Sequence, residues 1–261
     1  MLAILTGVRR EHEAIERKIA VLERHRTEDG FYISVGEFRG KPVVICRTSM
    51  GEERIRGIVD RILHDYPISA VVSARMGTPL PSDIPVGDLL ICQRLYLRRS
   101  PGVVTEPSGE GDLRLMEIAG RAATAARIPH LVGNCLTVAP LYAAPLNRRA
   151  LSEGPPASLV DTEGFWLAET VFKHGLPFLA VRSSLGMAYD NLPQGINMLG
   201  SRGYVPLYRY LSYAVTHPLE IPNVIRLSQS LRRASRTLGR FFEVFLRELS
   251  EQPTPTPDRS R

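Results

Sequence analysis

Asp161 and Glu163 stand two residues apart in the stretch 157–193, ASLVDTEGFWLAETVFKHGLPFLAVRSSLGMAYDNLP. They fall where a short apolar strand gives way to a helix. That helix runs over about 164–174, and Gly175 stops it, as a glycine past the last turn does. Residues 176–181 (LPFLAV) are a continuous apolar run, the pattern of a strand buried on both faces. The run ends in Arg182, Ser183 and Ser184. In open α/β sheets ligands sit beyond the carboxyl ends of the strands, and both strands here place their polar residues at that edge. Carboxylates, a guanidinium and hydroxyls gathered there are the groups that hold a polar small molecule and move its protons.

A third carboxylate, Glu11, lies in the first turn of a helix that starts near Arg9, after a strand at 3–6 and Gly7. A first-turn acid favours the helix dipole, so capping is one reading of Glu11 and chemistry is the other. Ile15, Ile19 and Leu22 have helical spacing and form the expected buried stripe. Residues 31–38 and 41–47 read as a hairpin around Arg39-Gly40. After Thr48-Ser49-Met50-Gly51 comes a helix over 52–65, then a strand at 70–73 feeding a loop, 74–81, that carries Arg75, Gly77 and Thr78. A turn at 86–88 leads into another strand, and 100–111 is a Pro/Gly/Ser-rich loop. A helix at 113–127, a strand at 131–137, a loop over 139–156 and a glycine-punctuated loop over 194–204 complete the order. Alternating strands and helices predict a single α/β domain with a mixed, largely parallel sheet flanked by helices. No G-x-G-x-x-G follows a strand and no Walker sequence is present, which removes the dinucleotide and P-loop readings.

The chain has 261 residues, 44% hydrophobic and 23% charged, the make-up of a soluble globular protein. It holds no apolar run of bilayer-spanning length, and its first residues lack the secretory pattern, so a cytoplasmic location is expected. Cys46, Cys92 and Cys135 have no metal-ligand spacing and read as buried free thiols in a reducing compartment.

The net charge is +6, and residues 202–249 alone hold eight Arg against three Glu. Within them Val224, Leu227, Leu231, Ala234, Leu238, Phe241, Phe245 and Leu249 recur at steps of three and four, with six arginines on the other faces. This is an amphipathic basic helix with a candidate break at Gly239. Its stripe either packs on the domain or a second subunit, or docks on a membrane surface. The arginines have little aromatic interleaving and no nucleic-acid motif accompanies them, so nucleic acid is not an expected partner. The expected organisation is an α/β domain at 1–205, a basic helical extension at 206–250 and a disordered tail at 251–261.

Four places resemble the nucleoside phosphorylase/nucleosidase superfamily, which includes purine nucleoside phosphorylases and methylthioadenosine/S-adenosylhomocysteine nucleosidases. They are ILTGVRREHEAI at the start, TSMGEERI, IPVGDLLIC and VDTEGFWLAETVFKHGLPFLAVRSS. The resemblance covers roughly residues 1–193. Within the superfamily the SMGEER turn, the Leu-Pro after the last motif and the basic C-terminal helix resemble the hopanoid-associated phosphorylase branch. That branch implies an adenosyl-lipid substrate.

The resemblance implies cleavage of the N-glycosidic bond of a purine nucleoside or an adenosyl compound, with phosphate or water as acceptor. Glu163 falls on the glutamate that takes the ribose hydroxyls, where a carboxylate steadies the electron-poor sugar as the bond breaks. Thr162 replaces the usual methionine beneath the sugar. Glu11 falls on the glutamate that activates water in hydrolytic members. Thr137, Val138 and Ser184 border the base. Arg75 and Arg47 are the candidate phosphate ligands, with Arg182 a strand-end residue of structural role; Arg75 is otherwise a salt-bridge partner filling the site. The family's proton-donating Asp is replaced by Gly186. Asp190 and Asp161 are the candidate substitutes, and without one the chain becomes a weakened homologue that binds a nucleoside without turnover. No metal or organic cofactor is implied, only phosphate as co-substrate. The expected partners are a nucleoside, further copies of this chain in a homo-oligomer, and a membrane surface met by the basic helix.

Overall fold

A computed structural model describes residues 1–48, 51–80, 84–100, 103–104, 107–138, 157–186 and 221–251. In chain order the elements are β1 (Leu2–Thr6), α1 (Arg9–Glu16), β2 (Ala20–Arg26), β3 (Tyr32–Phe38), β4 (Lys41–Arg47), α2 (Glu52–Asp65), β5 (Ala70–Pro79) and β6 (Leu89–Ser100). There follow β7 (Val103–Val104), α3 (Leu113–Ala125), β8 (His130–Val138), β9 (Leu159–Asp161), α4 (Gly164–Lys173), β10 (Phe178–Ser184) and α5 (Ile221–Glu251). The expected loops at 139–156 and 194–204, Asp190 and all of the expected tail at 251–261 but Glu251, which ends α5, lie outside the described residues.

The apolar runs of β1, β4, β5 and β10 are buried because they lie side by side in one mixed sheet with helices on both faces. β1 sits parallel between β4 and β5, and β10 runs parallel to β5 on the other side. β5 also meets β9, so β5, β10, β6, β8 and β9 close into a ring. The hairpin strands β3 and β2 extend the opposite edge. Parallel pairings hold the centre, and antiparallel ones hold the hairpin edge and the ring closure. One core packs α2 (Ile55, Ile58, Val59, Ile62) and α4 (Phe165, Leu167, Val171) on the sheet. A second core packs α1, α3 and α5 on the other face.

Three sequence readings change. The periodicity at Ile15, Ile19 and Leu22 does not extend α1, which ends at Glu16; Ala20–Arg26 is the edge strand β2 and Leu22 is 73% exposed. The composition of AVLERHR fits an edge, where charged side chains block pairing with another chain. The segment after Ser73 is not a loop: it continues β5 to Pro79, because β10 and β9 supply ladder partners. Gly239 does not break α5. A Cβ there would lie 2.9 Å from the carbonyl oxygen of Ala14, so the glycine is where α5 presses onto α1. The basic helix is thus a layer of the domain, with Leu238, Phe241, Phe242 and Phe245 wholly buried. Its apolar stripe is taken up by the protein. The three cysteines are free and buried, as expected. Among the described residues no helix is long and apolar enough to cross a membrane.

His12 of α1 is buried against Ser34, with its Nε2 2.9 Å from the serine Oγ and its ring edge-on to Tyr32. Burial lowers its pKa from 6.5 to about 4, with Glu16 acting in the opposite direction. A histidine lowered in this way binds fewer protons folded than unfolded. Stability therefore falls as pH drops from 6.5 towards 4, by about 3 kcal/mol in total. Thermal midpoints measured from pH 7 to pH 4 are expected to fall less steeply in His12→Gln than in the wild type.

Candidate active site at the carboxyl edge of the sheet

Three charged side chains meet where β1 ends, beside the middle of β5 and the loop before α4. β1 stops at Thr6 and the chain turns through Gly7 and Val8 into α1, which aims Glu11 back at the turn. Its Oε2 accepts the backbone N–H groups of Gly7 (2.7 Å) and Val8 (2.9 Å), and its Oε1 accepts that of Met76 (2.7 Å). Burial raises the Glu11 pKa above the ordinary carboxylate value, against the pull of Arg75 and those three N–H groups. The capping reading of Glu11 thus describes what its carboxylate does, and the bond to Met76 ties α1 to β5.

Arg75 reaches from β5 across Gly7. A Cβ on Gly7 would lie 2.6 Å from Arg75 Nη1, so the turn is a glycine because the guanidinium passes over it. Nη1 donates to Glu163 Oε2 and Nη2 to Thr48 Oγ1. The Thr48 hydroxyl donates in turn to the carbonyl of Thr6, at 3.1 Å. Arg75 is 5% exposed and Glu163 2%. Burial brings the Arg75 pKa down to about 10, with Glu11 opposing the shift and Arg182 adding to it. The guanidinium still carries its charge at neutral pH, between two glutamates.

Asp161 does different work. Its Oδ2 accepts Arg182 Nε at 2.8 Å and lies 2.8 Å from Nη2 as an ion pair, and its Oδ1 accepts the Thr137 hydroxyl (2.6 Å) and Gly164 N–H (3.1 Å). Arg182 Nη1 also donates to the Ser73 carbonyl and hydroxyl. Burial works against the Arg182 charge, but Asp161 outweighs it and holds the pKa above its ordinary value. With both oxygens engaged, by three hydrogen-bond donors and the Arg182 charge, Asp161 is the pin that fixes the start of α4, and through it Glu163. It is not placed as a spare proton donor. Thr137 also accepts Phe165 N–H at 2.9 Å and so belongs to the same pin. Val138 is buried at the end of β8, and Thr162 is half-buried between Asp161 and Glu163.

The structure does not bring Arg47 into this group. It ends β4, half-buried, with its guanidinium 5.2 Å from the ring centre of Tyr32. Ser184 spends its hydroxyl on the turn after β10, donating to Ile84 O (3.2 Å) and accepting Gly186 N–H (3.0 Å). Thr48 and Gly7 complete the site without having been singled out in the sequence. Gly7 carried a signal, a glycine between a strand and a helix; Thr48 opened the TSMGEERI stretch, where nothing marked its hydroxyl for the site. Among the described residues no cluster of three or more His, Cys, Asp or Glu side chains is arranged to hold a metal ion.

A model of the phosphorylase superfamily matches residues 1–196. The chain belongs to the phosphorylase superfamily. Within that superfamily its fold is similar to the 5′-methylthioadenosine/S-adenosylhomocysteine nucleosidase of Helicobacter pylori, at 16% identity and TM-score 0.71 over 95% of this chain and 97% of that one. It is also similar to the futalosine hydrolase of Helicobacter pylori (18% identity, TM-score 0.72, 95% and 97% covered). The S-adenosylhomocysteine nucleosidase of Streptococcus pyogenes gives 14% identity and TM-score 0.73, with 95% and 96% covered. No curated protein matches the chain. At these identities the likeness is one of fold, and it takes in α5 as well as the sheet.

Gly186 stands out in this superfamily member. Its φ is +63°, and a Cβ there would lie 2.3 Å from Val86 Cγ2 and 2.7 Å from Val86 N. The backbone after β10 is built around an absent side chain. Gly186→Asp is therefore expected to destabilise the fold by about 2–4 kcal/mol, from left-handed backbone strain and overpacking. It is expected to bring no gain in activity. A thermal midpoint and a base-release assay on the same preparation check both.

Proposed function

We propose that this protein cleaves the N-glycosidic bond of a purine nucleoside or adenosyl compound by phosphorolysis. The observation that carries the reading is Arg75, a buried charged guanidinium at the sheet edge whose partner is Glu163. In the reaction a phosphate oxygen attacks C1′, the C1′–N bond breaks, and its electron pair leaves with the base. Glu163 would turn from Arg75 to the sugar hydroxyls as the sugar becomes electron-poor, and Arg75, released, would hold the phosphate. Each charge in the pair then has a new partner, so neither is left buried alone.

Hydrolysis through Glu11 has less support. Three backbone N–H groups already occupy that carboxylate and fix it at the turn, so an attacking water would have to share it with them. Gly186 favours a second reading, a homologue that binds a nucleoside with little turnover, because a glycine at the place of the family's proton donor has no proton to give. Losing a general acid removes about a hundred- to ten-thousand-fold in rate. Asp190, outside the described residues, remains the candidate substitute.

The test is release of free base from adenosine, inosine, methylthioadenosine and an adenosyl-lipid mimic, each with and without phosphate. The mimic belongs in the panel because of the resemblance to the hopanoid-associated branch. Release that requires phosphate supports phosphorolysis. Saturable nucleoside binding without release of any base supports the second reading, and release indifferent to phosphate counts against Arg75 as the phosphate ligand.

A further inference from the structure

The outward face of α5 is cationic and carries two exposed isoleucines. Arg226, Arg232, Arg233, Arg236 and Arg240 are all exposed, and at 3.6 residues per turn they fall within about 140° of arc. Ile221 and Ile225, exposed at 38% and 53%, share that arc at the start of the helix. The first acidic residue of α5 is Glu243. The opposite arc, with Leu227, Ala234, Leu238, Phe241 and Phe245, is buried in the domain. Arg240 donates to the carbonyl of Ala126 at 2.7 Å, and Arg233 lies in the field of Asp88. Among the described residues the guanidinium groups of Arg226, Arg232 and Arg236 have no ion pair or hydrogen bond.

We propose that this face docks the protein on an anionic lipid bilayer. The isoleucines would enter the headgroup boundary while the arginines meet lipid phosphates. Other occupants fit less well. A second copy of the same face would be repelled by like charge. A nucleic acid would satisfy the arginines but has no use for two aliphatic side chains, and the helix's three phenylalanines are buried and cannot stack on bases.

The position of the face gives docking a consequence. Leu227 and Ala234, on the inner side of the same helix segment, pack with Leu185 and Met76. Those residues adjoin Gly186 and Arg75 in sequence, so the segment proposed to meet lipid packs against the strands that carry the candidate site. A substrate with a lipid tail would be presented there from the bilayer. The docking itself stands on the surface of α5 and does not depend on the proposed reaction.

The test is co-sedimentation of the full chain with vesicles of phosphatidylcholine alone or mixed with phosphatidylglycerol. Retention on the mixed vesicles, lost at high salt, is expected. Arg232→Glu with Arg236→Glu should lower partitioning about tenfold or more, and Ile221→Ser with Ile225→Ser should lower it too. Circular dichroism and the thermal midpoint of each variant establish that α5 still folds onto the domain. Failure to sediment with the mixed vesicles at low salt overturns the proposal. So does equal retention on both vesicle types, or retention on duplex DNA that ignores the isoleucines and exceeds that on vesicles.

Discussion

Glu163→Gln is expected to reduce phosphate-dependent base release about a hundred- to a thousandfold, mainly in kcat. The Glu163 carboxylate neutralises Arg75. With a nucleoside bound, it would accept the sugar hydroxyls, and its charge matters most when the sugar carries positive charge in the transition state. A glutamine keeps one acceptor oxygen and the shape, so nucleoside binding should weaken little. What is lost is the charge, and the loss falls on the transition state. The substitution also leaves Arg75 with Glu11 as its main counter-charge. Removing one partner of a buried pair costs about 3–5 kcal/mol, and the proximity of Glu11 keeps the loss at the low end of that range. Steady-state kinetics with a saturating and a limiting nucleoside separate kcat from KM. Unchanged kcat would remove Glu163 from the reaction.

Arg75→Met is the complementary change. Phosphate KM should rise and base release should fall by at least about a hundredfold, because the buried cation paired with Glu163 is gone. Stability should fall by about 3–5 kcal/mol, since two buried carboxylates, Glu11 and Glu163, lose their shared counter-charge. The pH dependence has a definite sign. Burial already raises the Glu11 pKa, and losing Arg75 raises it further. A carboxyl raised in the fold binds more protons folded than unfolded, so the variant should lose stability as pH rises above the ordinary carboxylate range. Relative to wild type it should look best at low pH. Combining Arg75→Met with Glu163→Gln should recover part of the stability and none of the activity. Denaturant melts of the single and double variants give the coupling energy directly.

The sequence carried the strand-helix-strand order around Asp161, Glu163 and Arg182 well, because long apolar runs and a glycine stop signal leave few alternatives. It could not divide the labour between the two acids. Asp161 is the last residue of β9 and faces Arg182, whereas Glu163 lies past the strand end and faces Arg75; two residues of separation do not reveal that. Arg75 was misplaced for a related reason. Thr78 and Pro79 look like loop residues, yet β9 pairs with them antiparallel, a contact made across about eighty residues of chain. Leu22 misled because a charged edge strand can match helical spacing by chance. Gly239 looked like a break because the sequence does not record that Ala14 lies against it. Gly186 was legible as a departure, and the fold adds that Val86 leaves no room for a side chain there.

The most direct measurement is phosphorus NMR of the wild-type protein incubated with phosphate and whichever nucleoside of the panel releases base. Phosphorolysis requires a sugar 1-phosphate resonance that grows in step with the free base and fails to appear with Arg75→Met. Free base accompanied by free sugar, with no new phosphorus resonance, would contradict it.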